Sequence, residues 1–313
     1  MISVVIPNLN GKCYLEDCLS SLCSQTFRNF EVILVDNGSA DGSEEYLEAQ
    51  YPSVRVIKNK KNLGFAGGTN AGIRQANGEF VLTLNNDTYV DNRFLECLLK
   101  PMILDNGIGM CAPKMLLYDG RINSTGICIS RSGAAWDRGM FEMDEGQYDT
   151  PEEVFGPCAG AALYRKKMFD EIGLFDEDFF LYMEDVDLAF RGRLAGWKCL
   201  YVPDAKVHHI YGGTLAPGSD LSVYYGNRNL TWYVVKNFPM KLLIESLPWI
   251  IGRYLEVVAY YTLMGKGRII LKSKFESLKG LPKMAKKRGQ LMKAVSDDGI
   301  GKYLHTWAKI PRR

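Results

Sequence analysis

Over residues 1–100, short apolar runs alternate with segments whose apolar residues recur every three or four positions. Ile2-Ser3-Val4-Val5-Ile6 and Phe30-Glu31-Val32-Ile33-Leu34-Val35 have the character of buried strands, and between them Leu15, Cys18, Leu19 and Leu22 share one helical face. The alternation continues with a helix near 43–49 and a short strand at 54–57. A glycine-rich turn, Asn62-Leu63-Gly64-Phe65-Ala66-Gly67-Gly68, then leads into a helix through Gln75, and 79–84 returns to a strand. This order predicts an α/β fold with a mostly parallel central sheet covered on both faces. Ligands of such sheets sit at the carboxyl ends of the strands. Three predicted strands end in polar clusters, Pro7-Asn8, Asp36-Asn37 and Asn85-Asn86-Asp87. One polar tip is an ordinary turn; three in register predict a pocket.

Downstream the pattern is more mixed. Short strands are expected around 108–111, 160–164 and 199–202, with a helix over 186–194. From Leu221 the chain reads helical, with basic and apolar residues interleaved, so a soft boundary falls between 215 and 240. The longest apolar stretch, 242–264, is broken by Glu245, Pro248, Arg253 and Glu256, which argues against a membrane-spanning helix. Leu271, Phe275 and Leu278 share a helical face while Lys272, Lys274 and Lys279 lie elsewhere, and Pro282 is expected to break that helix.

Composition adds two points. The 313 residues carry a net charge of +2, but residues 266–293 hold ten Lys or Arg against one acid, which leaves about −7 for the rest. That basic end suits peripheral attachment to an anionic membrane surface, with a solvated helix or a dimer contact as the alternatives. No nucleic-acid recognition module accompanies it. The eight cysteines form no C-x-x-C pair, and the chain opens directly on a strand without a leader-like core. Both point to reduced thiols in a cytosolic protein.

Several residues can carry chemistry. Asp36 can accept from a base N–H or a ribose hydroxyl, or cap the turn that follows. The glycine run can bring backbone close to a ligand, though it is neither G-x-G-x-x-G nor a Walker loop. Asp87 can hold Mg²⁺ or Mn²⁺ bound to substrate phosphates, or end a strand. Glu184, Asp185 and Asp187 follow the aromatic run Phe179-Phe180-Leu181-Tyr182. Desolvation there would raise a carboxylate's pKa and make it a better base, whereas solvated acids would simply favour the helix N-terminus. His208 and His209 are two of only three histidines and candidates for a metal or phosphate contact.

Taken together, VVIPNLNG, VILVDNGSADGS, NLGFAGGTNAG, LTLNNDT, GLFDEDFFLYMEDVDLAFRGRLAGW, AKVHHIYGGT and YYGNRNLTWYVVKNFP, in this order, resemble family 2 glycosyltransferases of the GT-A fold, especially the rhamnosyltransferase-like branch. The resemblance implies a GT-A domain over 1–239, with a nucleotide-binding half at about 1–112 and an acceptor and catalytic half at about 113–239. A helical, basic region over 240–313 follows, membrane-peripheral or oligomerising. It implies inverting transfer from a nucleotide-diphosphate sugar, dTDP-rhamnose as first choice, to a lipid-linked or oligosaccharide acceptor in cell-surface glycan synthesis at the cytoplasmic face of a membrane. Asp185 would be the catalytic base and Glu184 would orient the acceptor, with Asp187 serving the helix N-terminus. Pro7, Asn10, Asp36, Gly67, Asn70, Asn85, Asn86 and Arg228 would bind the nucleotide sugar, Arg228 by neutralising the diphosphate. Asp87 and His209 would hold the divalent metal, Mg²⁺ or Mn²⁺; Asn85 departs from the first Asp of the family's Asp-x-Asp. Rival readings are a UDP-hexose or galactofuranose donor, or a non-catalytic nucleotide-sugar-binding partner of an assembly complex.

Overall fold

In a computed structural model, which describes residues 1–210 and 218–307, the chain forms a central sheet with helices on both faces. The strands are β1 (Ile2–Asn8), β2 (Phe30–Asp36), β3 (Arg55–Lys58), β4 (Phe80–Leu84), β5 (Thr88–Val90), β6 (Ile108–Leu117) and β7 (Ile122–Ser124). β8 (Ile127–Ser130), β9 (Ala135–Asp137), β10 (Glu152–Glu153), β11 (Ala161–Arg165), β12 (Lys198–His209) and β13 (Leu304–His305) follow. The helices are α1 (Lys12–Cys23), α2 (Ser43–Gln50), α3 (Gly64–Ile73), α4 (Phe94–Leu104) and α5 (Lys166–Ile172). They continue with α6 (Glu184–Leu194), α7 (Asp220–Asn237), α8 (Met240–Leu263), α9 (Gly267–Arg288) and α10 (Asp297–Gly301).

The main sheet runs β10-β12-β6-β11-β4-β1-β2-β3. β3, β2, β1 and β4 are parallel, whereas β11 is antiparallel to both β4 and β6. Asn8 lies in register with Asp36, and Val5 with Thr83, so the polar tips of β1, β2 and β4 form one edge. Two apolar layers sandwich the sheet. One gathers Leu15, Leu19 and Leu22 of α1 with Leu95 and Leu98 of α4; the other gathers Ile73, Phe190, Tyr233 and Phe238.

Several boundaries differ from the expected ones. α3 begins at Gly64, so Gly67 and Gly68 lie inside a helix rather than in a turn. A Cβ on Gly68 would stand 2.4 Å from Asn37 Nδ2, so the small residues let α3 pack against the β2 end. β12 runs twelve residues, with an irregularity between Val202 and Lys206, where 199–202 was expected. α6 starts at Glu184, two residues earlier than expected. Pro282 stays within α9, at an exposed position where the carbonyl it frees can meet water.

The C-terminal helices return to the body. α9 packs along α7, and β13 pairs with β8 in a small second sheet with β9. Much of the basic charge is spent on the way. Lys287 meets Asp176 and Asp178, Lys283 meets Asp178, Lys266 meets Asp220, and Lys274 is buried over Tyr254. Among the described residues no helix is long and apolar enough to cross a membrane.

Candidate active site

The cleft along the polar sheet edge has two adjoining lobes. The first, ≈ 380 Å³, is bounded by Pro7, Asn8, Asn37, Asn62, Asn86 and Asp87, with Phe180, Leu221 and Tyr225 opposite. The second, ≈ 340 Å³, lies between Trp136 and Asp137 of β9 and Glu184 and Asp185 at the start of α6. Phe65, Asn85, Leu181, Tyr182 and His209 border both.

Asp87 and His209 meet where the lobes join, His209 Nε2 lying 3.2 Å from Asp87 Oδ1. The other ring nitrogen, Nδ1, lies 2.6 Å from Asn123 Oδ1. An amide oxygen only accepts, so Nδ1 donates to Asn123 and Nε2 is the ring nitrogen turned toward the carboxylate. Asp87 Oδ1 is buried and has no hydrogen-bond partner. A carboxylate oxygen and a ring nitrogen that face each other at this distance are both groups that ligate divalent ions. A ligating His that gives its second N–H to a carbonyl oxygen is the usual outer-shell arrangement. Asp87 and His209 are therefore the residues that would hold a divalent ion. No third His, Cys, Asp or Glu joins them among the described residues. His208, one residue earlier on β12, points to the other face, stacks on Tyr89 at 4.3 Å and approaches Asp91.

Across the second lobe, Asp185 Oδ1 accepts from the Val186 N–H at 2.8 Å and Oδ2 from the Ala159 N–H at 3.4 Å. Burial raises the Asp185 carboxyl above its ordinary range, against those two N–H groups. Glu184 is pushed well above its range, by burial first and then by the charge on Asp185, and its Oε2 has no partner. Both carboxyls therefore favour the protonated form more than a free acid does. Asp187 lies in the first turn of α6. It is fully buried and binds Arg191 Nε at 2.9 Å, Lys236 Nζ at 2.9 Å and Asn237 Nδ2 at 2.8 Å, fastening α7 to α6.

The segment before α6 is strained: Phe180, Tyr182 and Met183 have φ of 64°, 65° and 69°. Such backbone persists where surroundings over-determine it, commonly at functional sites. Arg228 and Asn229 of α7 supply the restraint. Arg228 Nη2 donates to the Asp178 and Phe179 carbonyls, with its guanidinium stacked 4.1 Å from the Trp232 ring. Asn229 Nδ2 lies 2.8 Å from the carbonyls of Phe179, Leu181 and Tyr182. Arg228 thus holds the loop instead of lining the cleft.

Of the other expected site residues, Pro7, Asn85 and Asn86 line the first lobe. Asn86 is held by Asn8 Oδ1 at 2.6 Å, which leaves Asn85 as the amide between the lobes. Asp36 Oδ2 is taken up by its own turn, accepting from the Gly38 and Ser39 N–H groups, and the cleft meets its neighbour Asn37 instead. Asn10 caps the facing loop at Ala40. Gly67 is buried against Leu63, and Asn70 ties α3 to Phe175 and Glu177. The segment after β12, including Tyr211, Gly212, Gly213 and Thr214, lies outside the described residues.

Sequence reasoning missed Asn123 and Asp137, which arrive on β7 and β9. Asp137 Oδ1 is buried without a partner at the second lobe, and burial pushes its carboxyl up to about 7 against the Ser124 hydroxyl. Neither sits in a recognisable run; only the meeting of strands brings them to the cleft.

The fold is that of GT-A glycosyltransferases. Residues 3–173 match the family model described as Glycosyl transferase family 2, and the chain belongs to that family. It is 30% identical over 250 residues to the N-acetylglucosaminyl-diphospho-decaprenol L-rhamnosyltransferase of Mycobacterium tuberculosis, covering 72% of this chain and 81% of the relative. It is 39% identical over 101 residues to glycosyltransferase GlyG of Streptococcus pneumoniae, 31% of this chain and 34% of that one. Among solved structures, GalNAc-T7 with UDP, GalNAc and Mn²⁺ superposes with a TM-score of 0.66 at 19% identity, over 90% of this chain and 56% of that one. S. aureus TarS 1-349 gives 0.57 at 17%, over 92% and 91%.

Proposed function

We propose that the chain is an inverting, divalent-metal-dependent glycosyltransferase that moves L-rhamnose from dTDP-rhamnose to a hydroxyl of a lipid-linked acceptor, at the cytoplasmic face of a membrane. The observation that carries this reading is the division of the cleft. The Asp87–His209 pair stands at the junction, and the carboxyl of Asp185 lines the second lobe beside it. The nucleotide lies in the first lobe beside Pro7, Asn37 and Asn62, with the diphosphate near Asp87. Asp87 and His209 would hold the divalent ion, Mg²⁺ or Mn²⁺, which would supply positive charge to the diphosphate. The acceptor enters the second lobe, where the carboxyls of Glu184 and Asp137 hold its hydroxyls. Asp185 takes the proton of the attacking hydroxyl as the new C–O bond forms and the bond to the diphosphate breaks, a single displacement that inverts the anomeric carbon.

The rhamnosyl donor and lipid-linked acceptor are supported by the mycobacterial relative, whose name states both. UDP-hexoses and a galactofuranose donor are the rival substrates. A non-catalytic partner would have no use for a buried base. The test is nucleotide-diphosphate release from a panel of donors, with and without Mg²⁺ or Mn²⁺. Asp185→Asn should lower kcat by about 10²- to 10⁴-fold while donor binding persists. Undiminished turnover in that variant overturns the mechanism, and preferred turnover of a UDP-hexose overturns the donor.

A further inference from the structure

Outside the cleft, the outer surface of the C-terminal helices has no role in the chemistry. On α8, Met240, Ile244, Leu247, Ile251 and Leu255 are each 44% to 63% exposed. Their spacing of four, three, four and four keeps them on one stripe of a 3.6-residue helix. Lys241, Glu245, Arg253 and Glu256 fall beside the stripe and are paired: Lys241 with Asp298, Glu245 with Arg131, Arg253 with Glu256. At 1.5 Å per residue the stripe from Met240 to Leu255 is roughly 22 Å long. α9, packed against α8, repeats the device with Leu271, Phe275 and Leu278, 52% to 59% exposed. Here Arg268, Lys272 and Lys286 border the stripe, exposed and without a carboxylate partner among the described residues.

An apolar surface of this extent marks an interaction site. A narrow, convex stripe edged by Lys and Arg is the signature of a helix lying in a lipid interface. A second copy of the chain fits less well, because a two-fold contact would bring the same cationic edge against itself.

We propose that the outer faces of α8 and α9 lie on the surface of an anionic lipid bilayer. The aliphatic stripes enter the headgroup boundary, and Arg268, Lys272 and Lys286 meet lipid phosphate. α9 is fastened to α7, Ser273 Oγ donating to the Tyr224 carbonyl and Trp232 Nε1 to the Ser277 carbonyl. α7 in turn presents Leu221 and Tyr225 to the cleft. One helix therefore separates the docking face from the first lobe. The proposal deepens the reading of a lipid-linked acceptor and rests on that reading for its purpose, while its geometry stands alone.

The experiment is co-flotation of the full chain with vesicles of phosphatidylcholine alone and of phosphatidylcholine with phosphatidylglycerol. Wild type should float with both and more strongly with the anionic mixture. The variant Ile244→Ser/Leu247→Ser/Ile251→Ser/Leu255→Ser should lose about a hundredfold or more in partitioning to either vesicle. Arg268→Gln/Lys272→Gln/Lys286→Gln should lose about fivefold per residue on anionic vesicles only. Both variants should melt as wild type does, because the altered side chains are exposed. Failure of wild type to float, or flotation untouched by the serine variant, overturns the proposal. So does a dimer in sedimentation equilibrium that the serine changes dissociate while vesicles capture nothing. A catalytically inert but floating protein would remove only the proposed function, and an active protein that never floats would remove only the docking face.

Discussion

Replacing Asn229 with Ala probes the restraint on which both lobes depend. Asn229 is fully buried, and its Nδ2 faces three carbonyls at 2.8 Å, those of Phe179, Leu181 and Tyr182. An amide has two N–H groups to share among them. Arg228 still serves the Phe179 carbonyl in the variant, so the bonds lost are those to the partly buried Leu181 and Tyr182 carbonyls. Each buried acceptor left without a donor costs ~1–3 kcal/mol. The segment they fix carries three non-glycine residues at positive φ, at a cost of order 1 kcal/mol each, so it can relax and recover part of the loss. The net expectation is a stability loss of about 2–4 kcal/mol with an unchanged m-value in urea. Relaxation also moves Phe180, Leu181 and Tyr182 in the cleft, so kcat/KM should fall at least about tenfold at temperatures where the variant is folded. A loss below about 1 kcal/mol together with wild-type kcat/KM would refute the reasoning, because it would mean that the strained loop holds itself.

Three further outcomes are expected. Asn123→Ala removes the group that orients His209, and should weaken Mn²⁺ activation about 10- to 100-fold, read from metal titrations of nucleotide release. Asp187→Ala leaves Arg191 and Lys236 buried with one carboxylate fewer, although Lys236 keeps Asp176 at 2.7 Å; unfolding should show a loss of about 3–5 kcal/mol. Asp137 binds its proton more tightly folded than unfolded, so its contribution is complete below about pH 4 and is lost as pH rises towards about 7. Asp137→Asn should flatten that slope, gaining on wild type in denaturation midpoint at pH 8 relative to pH 5, and should raise the acceptor KM without altering donor binding.

The alternation of strands and helices over the first hundred residues was legible because burial imposes a period on the sequence whatever the partners. The same holds for the polar tips: Asn8, Asp36 and Asn85–Asp87 had to end their strands, and parallel pairing puts such ends on one edge. The α3 glycines were misread as a turn because local propensity opposes a glycine-rich helix. The helix forms there because close packing on Asn37 requires residues without side chains.

What the residues alone determined is the set of groups available: one acid on the β4 tip, adjacent histidines, an acidic run after aromatics and an unevenly basic end. Which of them meet was decided by tertiary structure. Strand alternation says that His208 and His209 face opposite ways, but only pairing of β12 with β5 and the approach of β7 put His209 beside Asp87 and Asn123. Arg228 was free to bind phosphate as a sequence feature, and in the fold its Nη2 group meets backbone carbonyls 49 and 50 residues away. Much of the basic charge of α9 meets acids remote in sequence, while the apolar stripe of α8 stays uncovered. The physical reason is the same throughout. A side chain's chemical type is local, but its hydrogen bonds and burial belong to whichever distant segments compete for it.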